Sequence, residues 1–247
     1  MKKILSVLLA VVIAVSAMSF AAFADEDDSV VVCSRSAETV NFIFEGGGEW
    51  GDIHIVPAVL TVDGADTDIY LVALRGTGIS MQKTNNIISS FQSAFNKPSA
   101  YLNLVRQTVL ELIPEGAKIV FTGHSLGGMV EQQLICEPDF TAKYEILNTL
   151  TAGSPYIMTD ASLREGTLIR LADKSDIIPH LSPATFLDIN NQNNAEKKDG
   201  GYGLDLNKAH NESYINAEEW AEYDALGVKG GNAVITFSNA DVIIRLA

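Results

Sequence analysis

Cysteine is scarce: Cys33 and Cys136 are the only two in 247 residues. Two thiols cannot make a disulfide framework; they are read as separate buried side chains, the alternative being a single bond between them. Positive charge is scarce too, with 17 Lys and Arg against 31 Asp and Glu, a formal net charge of −14. A chain so acidic is repelled by nucleic acid and by anionic membrane surfaces, so neither is expected as a partner. Beyond the first two dozen residues no apolar run approaches the length needed to cross a bilayer. Internal repeats and linkers are also missing. Residues 25–247 therefore read as one domain, long enough for a substantial core.

What is present begins with an address. Lys2 and Lys3 precede an uncharged apolar run, and Ala22, Phe23 and Ala24 give a small-x-small cleavage pattern. Residues 1–24 are expected to be a bacterial-type secretory signal peptide, the alternative being an uncleaved membrane anchor. The expected location is outside the cell.

The rest alternates between two periodicities. "IHIVPAVLTV" and "IYLVALR" are β-rich runs joined by Val62, Asp63, Gly64 and Ala65, which predicts a hairpin. Pro57 inside the first run predicts a sheet edge or a bulge. "PSAYLNLVRQTVLELIPEG" has helical spacing, with Tyr101, Leu104, Val105, Val109 and Leu112 on one stripe and Ser99 as N-cap. Ile119, Val120 and Phe121 are apolar in succession, as in a strand covered on both faces. "GGMVEQQLICE" returns to helical spacing, and "ILNTLTAGSP" and "GTLIRLADKSD" read as two more strands. The polar stretch over residues 190–203 reads as a loop. A last helix is expected over residues 217–226, capped by Asn216 and Glu219 and stopped by Gly227. Strands alternating with helices predict an α/β fold with a mostly parallel central sheet.

One short motif carries chemistry. In "GHSLGG", Ser125 stands between Gly123 and Gly127, at the junction of a buried strand and a helix. A sharp turn there lifts a serine hydroxyl above the carboxyl end of the sheet, and the glycines let strand and helix approach closely. A hydroxyl needs a base, and the base needs an orienting acid. Of the four histidines, His124 adjoins the serine and His54 lies in a strand pattern, so both read as structural. His210 and His180 remain as bases. With the partner order Ser, acid, His, Asp176 is the leading acid and His210 the leading base; Asp173 and Asp160 compete for the first role and His180 for the second.

Five segments in order make the sequence resemble the class 3 (fungal-type) lipases of the α/β-hydrolase superfamily: "LVALRGTG", "GHSLGG", "LTAGSP", "DIIPHLSP" and "AHNESY". The resemblance implies Ser125 as nucleophile, Asp176 as acid and His210 as base, with His180 a structural neighbour of the acid. It also implies an oxyanion hole made by the backbone N–H groups of Leu126 and Thr77. "EGGGEW", residues 45–50, is a rival oxyanion loop of the kind other esterases use. Residues 78–98 occupy the place of the family's lid. Ile88, Phe91 and Phe95 share one helical face there, either as a lid meeting a lipid interface or as a helix packed on the sheet. The implied activity is hydrolysis of lipid or small carboxylic esters without metal or organic cofactor. The alternative is a non-catalytic secreted binding protein built on the same fold.

Overall fold

The structure is a computed structural model that describes residues 29–44, 52–76, 100–157, 161–180 and 195–245. The signal-peptide, Thr77, residue 45–50, lid and Asp160 expectations lie outside these residues. The strands are β1 (Val30–Cys33), β2 (Ile53–Val62), β3 (Ala65–Leu74), β4 (Lys118–His124), β5 (Glu145–Ala152), β6 (Thr167–Asp173), β7 (Ala195–Lys198), β8 (Val234–Ser238) and β9 (Ile243–Arg245). The helices are α1 (Ser36–Asn41), α2 (Ala100–Leu112), α3 (Leu126–Leu134), α4 (Pro138–Thr141) and α5 (Leu206–Asn211).

The nine strands among the described residues form one sheet in the order β1-β8-β2-β3-β4-β5-β6-β7, with β9 also on β2. Five of them, β3 to β7, run parallel. The other pairings are antiparallel. The hairpin closes through Asp63 and Gly64, both at positive φ (52° and 77°), the two-residue turn whose twist matches the strands it joins. Pairing then starts at once, Val62 against Ala65, so β3 begins four residues before the apolar run does.

Pro57 is not at a sheet edge. β2 pairs with β3 along its whole length, and its other side is shared: β9 takes Ile53–Ile55 and β8 takes Val59–Thr61. Pro57 falls in the gap between those two partners, where its missing N–H costs no ladder bond.

Helices cover both faces of the sheet. On one, α2 and α3 pack Leu102, Val105, Val109, Val130 and Leu134 against Ile119 and Phe121. On the other, α1 and the segment around Tyr214, Trp220 and Tyr223 pack against Val120, Leu150 and Leu171. Consecutive apolar residues in β4 thus serve two cores, as the unbroken run predicts. Cys33 and Cys136 are both buried, and no disulfide joins them.

Two expectations are corrected. The polar stretch over residues 190–203 contains β7, an edge strand on β6 with sequence AEKK. An edge needs only backbone groups on one side, and its charges discourage further strand pairing, so apolar periodicity gives no signal. Residues 217–226 form turns, not a helix. Asn216 Oδ1 does cap the N–H groups of Glu218 and Glu219, at 3.1 and 3.4 Å. Gly227 then turns the chain at φ 82°. Among the described residues no helix is long and apolar enough to cross a membrane.

Candidate active site

The carboxyl ends of neighbouring strands converge on Ser125. It follows β4 directly and precedes α3, with φ 55° and ψ −119°. Only Asp63 shares a positive φ among the described non-glycine residues, and Asp63 sits in a turn. This backbone region is costly for a side chain, so the fold around Ser125 must hold it there. The Ser125 N–H donates to the Ala152 carbonyl at 3.0 Å, and its own carbonyl accepts from Met129 at 3.3 Å. A Cβ on Gly127 would stand 2.2 Å from the Leu74 carbonyl oxygen, and one on Gly123 would stand 2.5 Å from Glu131 Oε2. The two motif glycines therefore allow α3 to lie against β3 and β4. Gly76, just before Thr77, is equally constrained: a Cβ there would be 2.7 Å from Ser125 Cβ. Leu126 opens α3, where first-turn N–H groups have no helical acceptor.

His210 reaches the serine from α5, whose first turn is capped by Asp205 through the Lys208 N–H. His210 Nε2 lies 3.1 Å from Ser125 Oγ, and Nδ1 lies 2.8 Å from Asp176 Oδ2. His210 thus sits on a short helix, in its last turn. Asp176, fully buried, lies just beyond β6. Its Oδ1 accepts the Ile178 N–H at 2.9 Å, and its Oδ2 also accepts the Tyr214 hydroxyl at 2.7 Å. That hydroxyl in turn accepts the Asp173 N–H at 3.1 Å. Burial, then the Asp176 charge, holds the Tyr214 phenol well above its usual range, so it stays a donor.

The competing residues have other partners. Asp173 accepts the N–H groups of Ser175 and Gly200, at 2.6 and 2.7 Å. His180 lies in the turn at 178–180, where burial lowers its pKa and its ring bonds the Asp173 backbone. His54 packs edge-on to Phe42, and burial pulls it down to about 4. His124 is buried and held well below the usual histidine range, first by burial and then by its neighbour His210. Its Nε2–H donates to the His210 carbonyl at 2.7 Å, and the two rings lie 4.6 Å apart. His124 is structural in a particular sense: it fixes the backbone of His210.

Three supports were not legible as site residues. Tyr214 stands out in the sequence only as the last residue of "AHNESY". Arg170, buried within β6, donates to the carbonyls of Ser154 (2.8 Å) and Pro179 (3.2 Å), tying the turn after β5 to the turn after Asp176. Burial lowers it to about 10, so it remains a cation at neutral pH. Gln132 on α3 donates to Ser154 Oγ and to the Pro155 carbonyl, at 3.2 and 2.9 Å, and accepts the Ile157 N–H at 3.1 Å. A buried Arg in a strand and a polar residue inside an apolar helix face are the signals that could have flagged the last two.

Among the described residues no group of three or more His, Cys, Asp or Glu side chains is arranged to hold a metal ion. A strained serine after a parallel strand, a helix behind it, an acid from the turn after a later strand and a histidine from a later short helix define an α/β-hydrolase. Residues 67–186, just under half of the chain, match the family model described as Lipase (class 3). Among solved structures it is similar to M37 lipase, with 19% identity and a TM-score of 0.34, over 53% of this chain and 57% of that one. The chain thus spans little more than half the length of that neighbour. No curated protein is matched.

Proposed function

We propose that the protein is a secreted carboxylic ester hydrolase acting on lipid or smaller esters, with Ser125, His210 and Asp176 as its catalytic triad. The observation that carries this reading is the continuous hydrogen-bonded line from Ser125 Oγ through His210 to Asp176.

In the first step His210 Nε2 takes the Ser125 proton as Oγ bonds to the ester carbonyl carbon. The carbonyl π pair moves to oxygen, where the N–H groups of Leu126 and Thr77 stabilise the oxyanion. Collapse breaks the bond to the alcohol oxygen, which leaves with the proton from Nε2. Water then attacks the acyl-enzyme, giving its proton to Nε2, and the acid departs as Oγ regains a proton. Asp176 stabilises the imidazolium formed in both halves, and the bond to Nδ1 fixes the tautomer. The neutrality of His124 keeps a second positive charge away from that imidazolium.

Residues 1–24 act as the export signal in this reading, and residues 25–247 as the hydrolase domain. The apolar face of Ile88, Phe91 and Phe95 is the part that would meet a lipid interface.

A fluorophosphonate probe should label the wild-type chain and not Ser125→Ala. Failure of both to label would return the chain to the binding-protein class. A panel of p-nitrophenyl esters of increasing chain length then separates lipase from esterase. Preference for long chains at an emulsion surface identifies a lipase, and preference for short soluble esters an esterase.

A further inference from the structure

A second acidic pair stands behind the first. Asp173, fully buried at the end of β6, grips the Gly200 N–H through Oδ2 at 2.7 Å and the Ser175 N–H through Oδ1 at 2.6 Å. Glu219 approaches the same glycine from the turns after α5: a Cβ on Gly200 would lie 2.4 Å from Glu219 Oε2. Two carboxyl groups therefore converge on one peptide unit. Both Glu219 oxygens are enclosed, and neither meets a donor among the described residues. The groups facing Glu219 are Asp173, Asp199 and Lys198. Lys198 is engaged by Glu222 at 2.8 Å, and Asp199 lies 4.0 Å from Lys174. The Tyr202 ring closes the other side of Gly200. Two anions cannot share so enclosed a space, whereas a carboxylic acid can donate to a carboxylate.

We propose that Asp173 and Glu219 share one proton and together position the triad acid, protonated Glu219 donating to the Asp173 carboxylate. The link to the reaction is short. The Asp173 N–H bonds the Tyr214 hydroxyl, and that hydroxyl bonds Asp176 Oδ2. Loss of the shared proton sets two negative charges against each other at the base of the turn that carries Asp176. Asp173 then withdraws from Gly200 and Ser175, and the Tyr214 bridge loosens. Burial, then the bond and charge of Asp173, pushes Glu219 up to about 8, so the pair opens on the alkaline side. Asp173 and Glu219 are positioning residues; neither touches Ser125. The proposal rests on the triad reading above.

The test is the pH dependence of kcat/KM on a soluble p-nitrophenyl ester, with the Ser125→Ala rate subtracted as background. The wild-type chain should lose activity with a midpoint near 8. Glu219→Gln keeps a donor toward Asp173 at every pH, so its alkaline fall should move up by about one pH unit or more. Glu219→Ala removes the donor and should be slower at all pH values, by roughly threefold or more, with little change in KM. Asp173→Asn, which donates back to Glu219, should flatten the alkaline side as Glu219→Gln does. An alkaline limb identical in wild type and Glu219→Gln overturns the proposal. Should the variants fail to fold, infrared difference spectra of the wild-type chain decide. Bleaching of a protonated-carboxyl band with a midpoint near 8 supports the pair, and no carboxyl proton loss across that range overturns it. If Ser125→Ala keeps its activity, the triad reading fails, and the infrared titration alone then judges the shared proton.

Discussion

Tyr214 and His210 bind the same oxygen of Asp176: the phenol at 2.7 Å and the imidazole Nδ1 at 2.8 Å both meet Oδ2, while the Ile178 N–H holds Oδ1. The acid is thus oriented by three donors from three places in the chain. Removing the phenol in Tyr214→Phe leaves the Asp173 N–H without its acceptor and Asp176 with one donor fewer. The expected cost is about 1–3 kcal/mol of stability, read by chemical denaturation. The kcat should fall roughly tenfold while KM stays within about twofold, because the loss acts on the imidazolium formed during reaction.

Backbone strain at Ser125 predicts a trade between stability and activity. Glycine tolerates φ 55° and ψ −119° where serine does not. Ser125→Gly should therefore be more stable than Ser125→Ala by about 1 kcal/mol, and both should be inactive toward esters. Equal melting temperatures for the two would mean that the elbow stores no strain.

Gly153 predicts a failure of assembly. It has φ 58°, and a Cβ there would lie 2.7 Å from the Tyr214 ring, 3.1 Å from Asp176 Oδ2 and 3.2 Å from His210 Nδ1. Gly153→Ala should cost at least about 2 kcal/mol, and activity should fall by more than the loss of folded protein accounts for. Activity per folded molecule, with folded protein measured by circular dichroism, checks it.

Glu131 predicts a pH dependence of stability. It is fully buried on α3, and neither carboxyl oxygen has a hydrogen-bond partner among the described residues. Burial alone raises its pKa well above the ordinary carboxyl value of 4.5. In the unfolded chain the same group releases its proton near that ordinary value, so above it the unfolded state binds fewer protons than the folded one. Stability contributed here is present at low pH and declines as pH rises from about 4.5 toward the folded value. Glu131→Gln, which carries no charge at any pH, should flatten that decline; urea unfolding at a series of pH values reads it.

The parallel half of the sheet was legible because burial on both faces leaves a mark. Ile119, Val120 and Phe121 can be apolar in succession only if two cores need them. Ser125 was legible because its elbow requires glycine at fixed positions. The antiparallel half was not. β1, β8 and β9 are short, and β8 and β9 divide one side of β2 between them, an arrangement no local periodicity encodes. The rival acids could not be separated along the chain either. Asp173 and Asp176 are three residues apart, and only the direction of each carboxyl, one toward Gly200 and one toward His210, tells them apart. Glu219 looked like half of a capping box because Asn216 does cap the turn, yet its own side chain turns to the Gly200 peptide.

The bond from His124 to the His210 carbonyl carries a kinetic corollary. Nε2 of His124 must keep its hydrogen to make that bond, and burial keeps the ring from gaining another. Two imidazoles thus lie 4.6 Å apart at the centre, tilted by 43°, while one of them is barred from proton traffic, leaving the water-to-imidazole transfer of deacylation as the sole hydrogen in flight. In mixtures of light and heavy water the deacylation rate should accordingly fall as a straight line in deuterium fraction; a bowed line would put a second hydrogen in motion.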